Sequence, residues 1–230
     1  MCRNKYQHEN SRTFHFYRLY RYFYYNVAMT YKKEIIAVLD PMCSWCWGFE
    51  PVLQALKTKL PVDTKLSLCL GGLRSANDEV WNDRFKAYLQ EHWEHVQEHT
   101  GQKFNTDLFT KENFDYNTEP SCRAVISFDH LNSLNTFDFM YALQKAFYLE
   151  SKDITQTDVL AKIAQENGVN RDEFIRVFSS DKMKEATLAD KYKARSMGAS
   201  SFPSLVFIDE EGHLYVLKGY RSLEEISKHL

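Results

Sequence analysis

The sequence predicts an α/β fold in which a βαβ unit and a ββα unit are separated by a long, all-helical insert. Three observations carry this. Two short apolar runs, Glu34–Leu39 and Lys65–Leu70, flank a stretch of helical periodicity. Residues 75–184 hold helix starts and stops but no strand pattern. Two further apolar runs, Ser204–Ile208 and His213–Leu217, are joined by a turn through Glu211-Gly212, which reads as a hairpin.

Glu34-Ile-Ile-Ala-Val-Leu39 is rich in branched residues and ends at Asp40-Pro41, as a buried strand entering a loop should. From Cys43 the pattern turns helical through Phe49, Val52, Leu53 and Leu56 to Leu60, with Pro51 inside it removing one backbone hydrogen bond. Lys65-Leu-Ser-Leu-Cys-Leu70 alternates as a second strand and closes at Gly71-Gly72. Asn77 is the expected cap of a helix running to Thr100, with Gly101 as its stop. Thr118, with Pro120 close behind, opens the next helix through Leu131. Further helices are expected from Thr136 to Leu149, Thr157 to Asn167, Asn170 to Phe178, and Asp181 to Met197, the last stopped by Gly198. After the hairpin, Ser222-Leu-Glu-Glu225 has the form of a capping box and starts a final helix to Leu230.

A right-handed crossover makes the first two strands parallel, and a tight turn makes the last two antiparallel. Two such halves joined by a helix are the plan of a thioredoxin-like core. The expected organisation is an N-terminal extension over 1–33, a thioredoxin-like domain from 34–74 and 185–230, and a helical insert domain over 75–184.

At 230 residues, 44% hydrophobic and 26% charged, the chain is long enough to bury a core without disulfides or structural metals. The net charge of −2 hides an asymmetry, because Arg3, Lys5, Arg12, Arg18, Arg21, Lys32 and Lys33 meet only Glu9 among acids. The body carries no basic stripe, so no nucleic-acid partner is expected. Arg18 and Arg21 interrupt the aromatic segment Phe14–Met29, and no run approaches the roughly 20 apolar residues of a membrane span. No membrane partner is expected, and no signal peptide. Met29 lies just before the first strand and offers an alternative translation start, which leaves residues 1–28 without an expected role. Five cysteines in a chain of this length do not make a disulfide framework, which points to a reducing, cytoplasmic setting.

Cys43-Ser44-Trp45-Cys46 falls where a strand ends and a helix begins. The first turn of a helix presents unpaired N–H groups and about half a unit of positive charge, which favours the anionic form of a leading thiol. Cys46 returns to the same helix face and can close a short disulfide with Cys43. The expected division of labour is Cys43 as exposed nucleophile and Cys46 as buried resolver. The competing reading, half of a zinc site, needs two further ligands. Cys69 and Cys122 do not form a second close pair, and the βα context favours redox chemistry.

The run Asp40-Pro-Met-Cys-Ser-Trp-Cys-Trp-Gly-Phe49 resembles the active-site segment of the DsbA-like thioredoxin family, in its FrnE-type and protein-disulfide-isomerase branch. Gly71-Gly-Leu-Arg74, His92-Trp93, Thr100-Gly-Gln-Lys-Phe104, Thr118-Glu-Pro-Ser-Cys-Arg-Ala124 and Gly198-Ala-Ser-Ser-Phe-Pro-Ser204 resemble the same branch, so the likeness runs from Tyr31 to the C-terminus. It implies a protein-disulfide oxidoreductase or isomerase whose redox disulfide is Cys43–Cys46, with no bound cofactor. Pro203 is then the cis-proline facing the two cysteines, and Phe202 offers its backbone to an extended client. Ser201, Phe202, Trp45 and Trp47 are the implied substrate contacts, although the two tryptophans serve equally well as a shield over Cys46. The implied partners are cysteine-containing proteins or peptides, with glutathione as a candidate electron donor or acceptor. Ser44-Trp45 departs from the Pro-His pair of the strongly oxidising bacterial relatives, so their oxidant character is not implied.

Two other readings compete: a glutathione-dependent transferase or isomerase of kappa-like type, which uses a serine near the first cysteine position, and a non-enzymatic redox-sensing binding module. The remaining candidates have plain explanations. Cys69 on a central strand and Cys122 on a helix read as small buried hydrophobes, and Cys2 as an exposed thiol. His92, His95 and His99 share a helix face with Glu91, Glu94 and Glu98 and read as a solvated face before they read as a metal site. Arg74 reads as a surface arginine before an anion-steering one, and Asp40 either shuttles protons near the pair or shapes the loop.

Overall fold

The computed structural model describes residues 31–76 and 80–230. A four-stranded sheet in the order β2-β1-β3-β4 is built from β1 (Lys33–Leu39), β2 (Thr64–Leu70), β3 (Ser204–Ile208) and β4 (Leu214–Lys218). β1 runs parallel to β2 and antiparallel to β3, and β3 pairs antiparallel with β4. This is the thioredoxin-like fold that the strand and turn pattern predicts. β1 is central, with both faces covered, which is why Ile35 to Leu39 is an unbroken apolar run. Its side chains alternate: Ile35, Ala37 and Leu39 join Leu205 and Phe207 in the larger core, while Ile36 and Val38 join Cys69, Ala194 and Val206 in a smaller one. β2 is an edge strand, so Cys69 does not sit on a central strand. The helix Asp181–Ser196 covers it instead.

Helix α1 (Ser44–Lys59) follows β1 and runs through Pro51. Proline cannot donate to the carbonyl four residues back, which belongs to Trp47. Gln102 Nε2 fills that position, donating to the Trp47 carbonyl at 3.1 Å. Between β2 and β3 lie α2 (Asp83–Thr100), a short 3-10 turn over Thr106–Thr110, α3 (Glu119–Leu131), α4 (Thr136–Tyr148), α5 (Thr157–Glu166), α6 (Arg171–Phe178) and α7 (Asp181–Ser196). Helix α8 (Leu223–Ser227) ends the fold.

Most caps are those the sequence announces. Asn170 accepts from the backbone N–H groups of Asp172 and Glu173, Gly101 is left-handed at φ 76°, and Ser222 with Glu225 forms the capping box. Two differ. Helix α2 starts later than expected, capped by Asn82 accepting from Phe85 N at 2.9 Å, and Asn77 lies outside the described residues. Thr118 opens α3 without capping it, because its hydroxyl donates to Asp40 at 2.7 Å. Helix α7 is continuous across the expected boundary at 184/185, and its Asp190 accepts from Leu70 N of β2 at 2.9 Å. The expected N-terminal extension, apart from residues 31–33, and Cys2 with it, also lies outside the described residues.

Candidate redox site

The C-terminal end of β1 delivers Asp40 into a tight turn in which Cys43 N donates to the Asp40 carbonyl at 3.2 Å. Cys43 is the N-cap of α1, and Cys46 lies one turn into the helix. Both thiols are free of any disulfide. Cys43 is 5% exposed and Cys46 1%, so the expected ranking holds, but the expected open exposure of Cys43 does not. The reason is the loop before β3: the Cys43 thiol donates to the carbonyl of Phe202 at 3.6 Å, and that loop covers it. Burial and the adjacent Cys43 thiol push Cys46 well above the ordinary thiol range, which keeps it protonated.

The Phe202–Pro203 peptide bond is cis, and Pro203 is buried. Gly219 N donates to the Pro203 carbonyl at 2.9 Å, tying the loop to the end of β4, and Ser204 Oγ donates to the carbonyl of exposed Ser201 at 2.7 Å. The Phe202 ring lies over Gly71, where any side chain would overlap it. Gly71 is held in place by donating its N–H to the Leu39 carbonyl at 2.8 Å.

The two tryptophans separate. Trp45 is half-buried and meets four rings edge-on or tilted: His92, His95, His99 and Tyr220, at centroid distances of 6.4, 5.7, 5.4 and 5.9 Å. Beside it an open groove of about 490 Å3 is lined by Trp45, His99, Phe202, Tyr220 and Arg221. Trp47 is 2% exposed, stacks on Tyr148, and donates Nε1–H to the Lys103 carbonyl at 3.0 Å. Its expected substrate contact is therefore corrected: a core side chain with its polar atom satisfied internally offers nothing to a client.

The three histidines flank Trp45; His95 and His99 are exposed, in keeping with the solvated-face reading, and His92 is half-buried. His92 is held below the ordinary imidazole range by burial, then by His95 and Arg74. They do not converge on a metal; among the described residues the three-ligand cluster is Asp209, Glu211 and His213, all exposed at the β3–β4 turn. Arg74 is half-buried, its guanidinium 5.0 Å from the Phe85 ring centroid and 5.8 Å from that of Tyr116. Cys69 and Cys122 are buried, as expected of small hydrophobes; burial pushes the Cys69 thiol to about 12 and raises Cys122 as well.

Asp40 shapes the loop. It is 0% exposed and accepts from Met42 N, Leu73 N, Thr118 Oγ1 and Cys122 Sγ. Tyr116, which no motif singled out, donates its hydroxyl to the Met42 carbonyl at 2.8 Å beneath the redox turn. Only its place among the aromatics before Thr118 hinted at a role. Such a turn, with a protonated resolver behind a leading cysteine and a carbonyl laid against that cysteine, has the parts for thiol-disulfide exchange.

A family profile described as thioredoxin matches residues 37–228, and the chain belongs to that family. Among solved structures, a proposed protein disulfide isomerase from Nitrosomonas europaea is 33% identical, with a TM-score of 0.77 over 85% of this chain and 94% of that one. The cytosolic disulfide reductase DsbM of Pseudomonas aeruginosa shares the fold at 23% identity, with a TM-score of 0.67 over 80% of this chain and 88% of that one. Its structure with GSH matches at a TM-score of 0.68. Among curated proteins, the ClpXP adapter protein SpxH of Halalkalibacterium halodurans is 24% identical over 80% of this chain and 65% of its own length. That of Bacillus subtilis is 24% identical over 77% of this chain and 59% of its own. The chain therefore spans less than two thirds of those relatives. No helix of the described residues is long and apolar enough to cross a membrane.

Proposed function

We propose that the chain is a cytoplasmic thiol-disulfide oxidoreductase acting on cysteine-containing proteins or peptides. The observation that carries this is the placement of Cys43 at a helix N-terminus, one turn ahead of Cys46 and against the Phe202 carbonyl. In the reducing direction, the Cys43 thiolate attacks one sulfur of a client disulfide, forming a Cys43–client bond and releasing the other client sulfur as a thiolate. Cys46 loses its proton and attacks Cys43 Sγ, releasing the second client thiol and leaving a Cys43–Cys46 disulfide. Two molecules of glutathione restore the dithiol and leave as glutathione disulfide. The DsbM structure with GSH supports glutathione as that donor. The Phe202 backbone offers an edge for an extended client, and Trp45 with Tyr220 an apolar seat beside the nucleophile. The test is disulfide reduction of a model protein by glutathione: turnover is expected from the wild type and none from Cys43→Ser.

A second reading follows from the SpxH relatives, which are adapter proteins. A binding module of that kind engages its partner without turnover. Partner capture that survives replacement of both Cys43 and Cys46, in a protein that fails to turn over, would favour it.

A further inference from the structure

Four rings form a continuous ladder that leaves the redox turn and climbs onto α2. The Trp45 ring, two residues after Cys43, lies 6.4 Å from that of His92; His92 stacks on Tyr88 at 6.0 Å, and Tyr88 stacks on Phe85 at 6.3 Å. The spacing is helical: residues 85, 88 and 92 are three and four positions apart and share one face of α2. Phe85 fastens the ladder to the body through its edge contact with Tyr116 at 6.0 Å. Tyr88 has no such cover and is 53% exposed. The fold does not need its ring, because α2 packs inward through Phe85, Leu89, Trp93 and Val96. Concavities lie at both ends of the ladder. The groove beside Trp45 is one; the other is a hollow of about 450 Å3 lined by Val80, Asn82, Arg84, Phe85 and Tyr88.

We infer that this ladder is a docking track for the client: an extended segment whose cysteine reacts at Cys43 lays an aromatic side chain into the hollow beside Tyr88. The inference rests on the oxidoreductase reading and deepens it, because it names the kind of client sequence the site selects. Continuity carries it, since the track begins at the ring next to the nucleophile and each rung touches the next. Length agrees: the ladder spans no more than about 19 Å, which an extended chain rising about 3.3 Å per residue covers in five or six residues. The chemistry agrees as well. The exposed face of Tyr88 and the floor formed by Phe85 suit a ring in stacked or edge-on contact. Burial, with His95 and Arg74 near it, keeps the middle rung, His92, an uncharged ring at neutral pH, so the track is apolar along its length. Tyr88 on this view is a specificity-determining residue on the helical insert, remote from both sulfurs.

The test is steady-state reduction of synthetic peptides by the full chain with glutathione as donor. Each peptide carries one cysteine in a mixed disulfide, with Trp or Ser about five residues away; both placements, before and after the cysteine, are made, because an extended chain can run either way along the track. In one placement the wild type should prefer the Trp peptide by at least about fivefold in kcat/KM, mainly through KM, the scale of one aromatic contact. Tyr88→Ala should abolish that preference, and His92→Ala should reduce it. Leu134→Ala, at an exposed apolar residue outside the ladder, should retain it. A wild type without preference in either placement, or a preference that survives Tyr88→Ala, overturns the inference; so does its loss in Leu134→Ala, which would mark a general loosening of the protein. If Tyr88→Ala does not fold, an unchanged preference in His92→Ala overturns it. A wild type that reduces none of the peptides would instead overturn the oxidoreductase reading.

Discussion

Gly71 lies beneath the ring of Phe202 so closely that a methyl group at its α-carbon would overlap Phe202 Cε1 and Cζ. The contact links the end of β2 to the loop that covers Cys43. Because the Phe202 carbonyl is the acceptor for the Cys43 thiol, a displaced ring displaces the acceptor too. Gly71→Ala is expected to cost about 1–3 kcal/mol of stability, as overpacking does. It should also lower kcat/KM for disulfide reduction tenfold or more, by about 1.4 kcal/mol or more in the barrier. Denaturant unfolding and steady-state kinetics measure the two effects; kinetics equal to wild type would show that the Phe202 loop does not govern the nucleophile.

Removing the resolver should trap the intermediate. Cys46→Ser is expected to accumulate reductant-sensitive mixed disulfides in cells, and Cys43→Ser is not. Non-reducing electrophoresis with mass mapping of the trapped species gives the clients directly. If only glutathione is captured, a glutathione-coupled role is favoured; capture at Cys69 or Cys122 would contradict the assignment of Cys43 as nucleophile.

Brief alkylation at rising pH should label Cys43 before Cys46, Cys69 and Cys122. Cys46, Cys69 and Cys122 all have thiols raised by burial, Cys69 to about 12, so each holds its proton through the neutral range. The sign is that of a group disfavoured as an anion: reactivity appears only as pH climbs toward the raised value, or on unfolding. Early labelling of Cys69 in native protein would show that α7 does not seal β2.

Gln102→Ala should destabilise the fold by about 1–3 kcal/mol, because it leaves the Trp47 carbonyl, already deprived of a donor by Pro51, without its partner. The double variant Gln102→Ala with Pro51→Ala should recover part of that loss, since alanine restores the backbone N–H. Thermal unfolding of the four proteins tests the coupling; strict additivity would mean the two sites are independent.

Much of the core was legible because its signals are local. Strand periodicity, the Gly101 stop, the Asn170 cap and the Ser222–Glu225 box each depend on residues within a few positions of one another. The Cys43–Cys46 pair was legible for the same reason. What escaped was long-range. Thr118 reads as a cap in its own neighbourhood, but its hydroxyl serves Asp40, 78 residues away. Trp47 and Trp45 look alike on paper, and helical phase turns one into the core beside Tyr148 and the other toward the histidines of α2. Asn77 and Asn82 are equal candidates by type, and Asn82 is the one seen capping α2, through Phe85 N.

The bond between Cys43 and Phe202 spans 159 positions of chain. At ribosomal rates of about 5–20 residues per second, roughly 8–30 s pass between synthesis of the nucleophile and synthesis of the loop that covers it. During that interval the nascent chain carries two neighbouring thiols with no Phe202 lid and no β3 beside β1. The helices between the two halves are made before Phe202, so the redox centre closes only after they have been synthesised. A chain truncated before Phe202 is expected to expose Cys43 to indiscriminate oxidation, a liability that the finished protein removes by completing its own sheet.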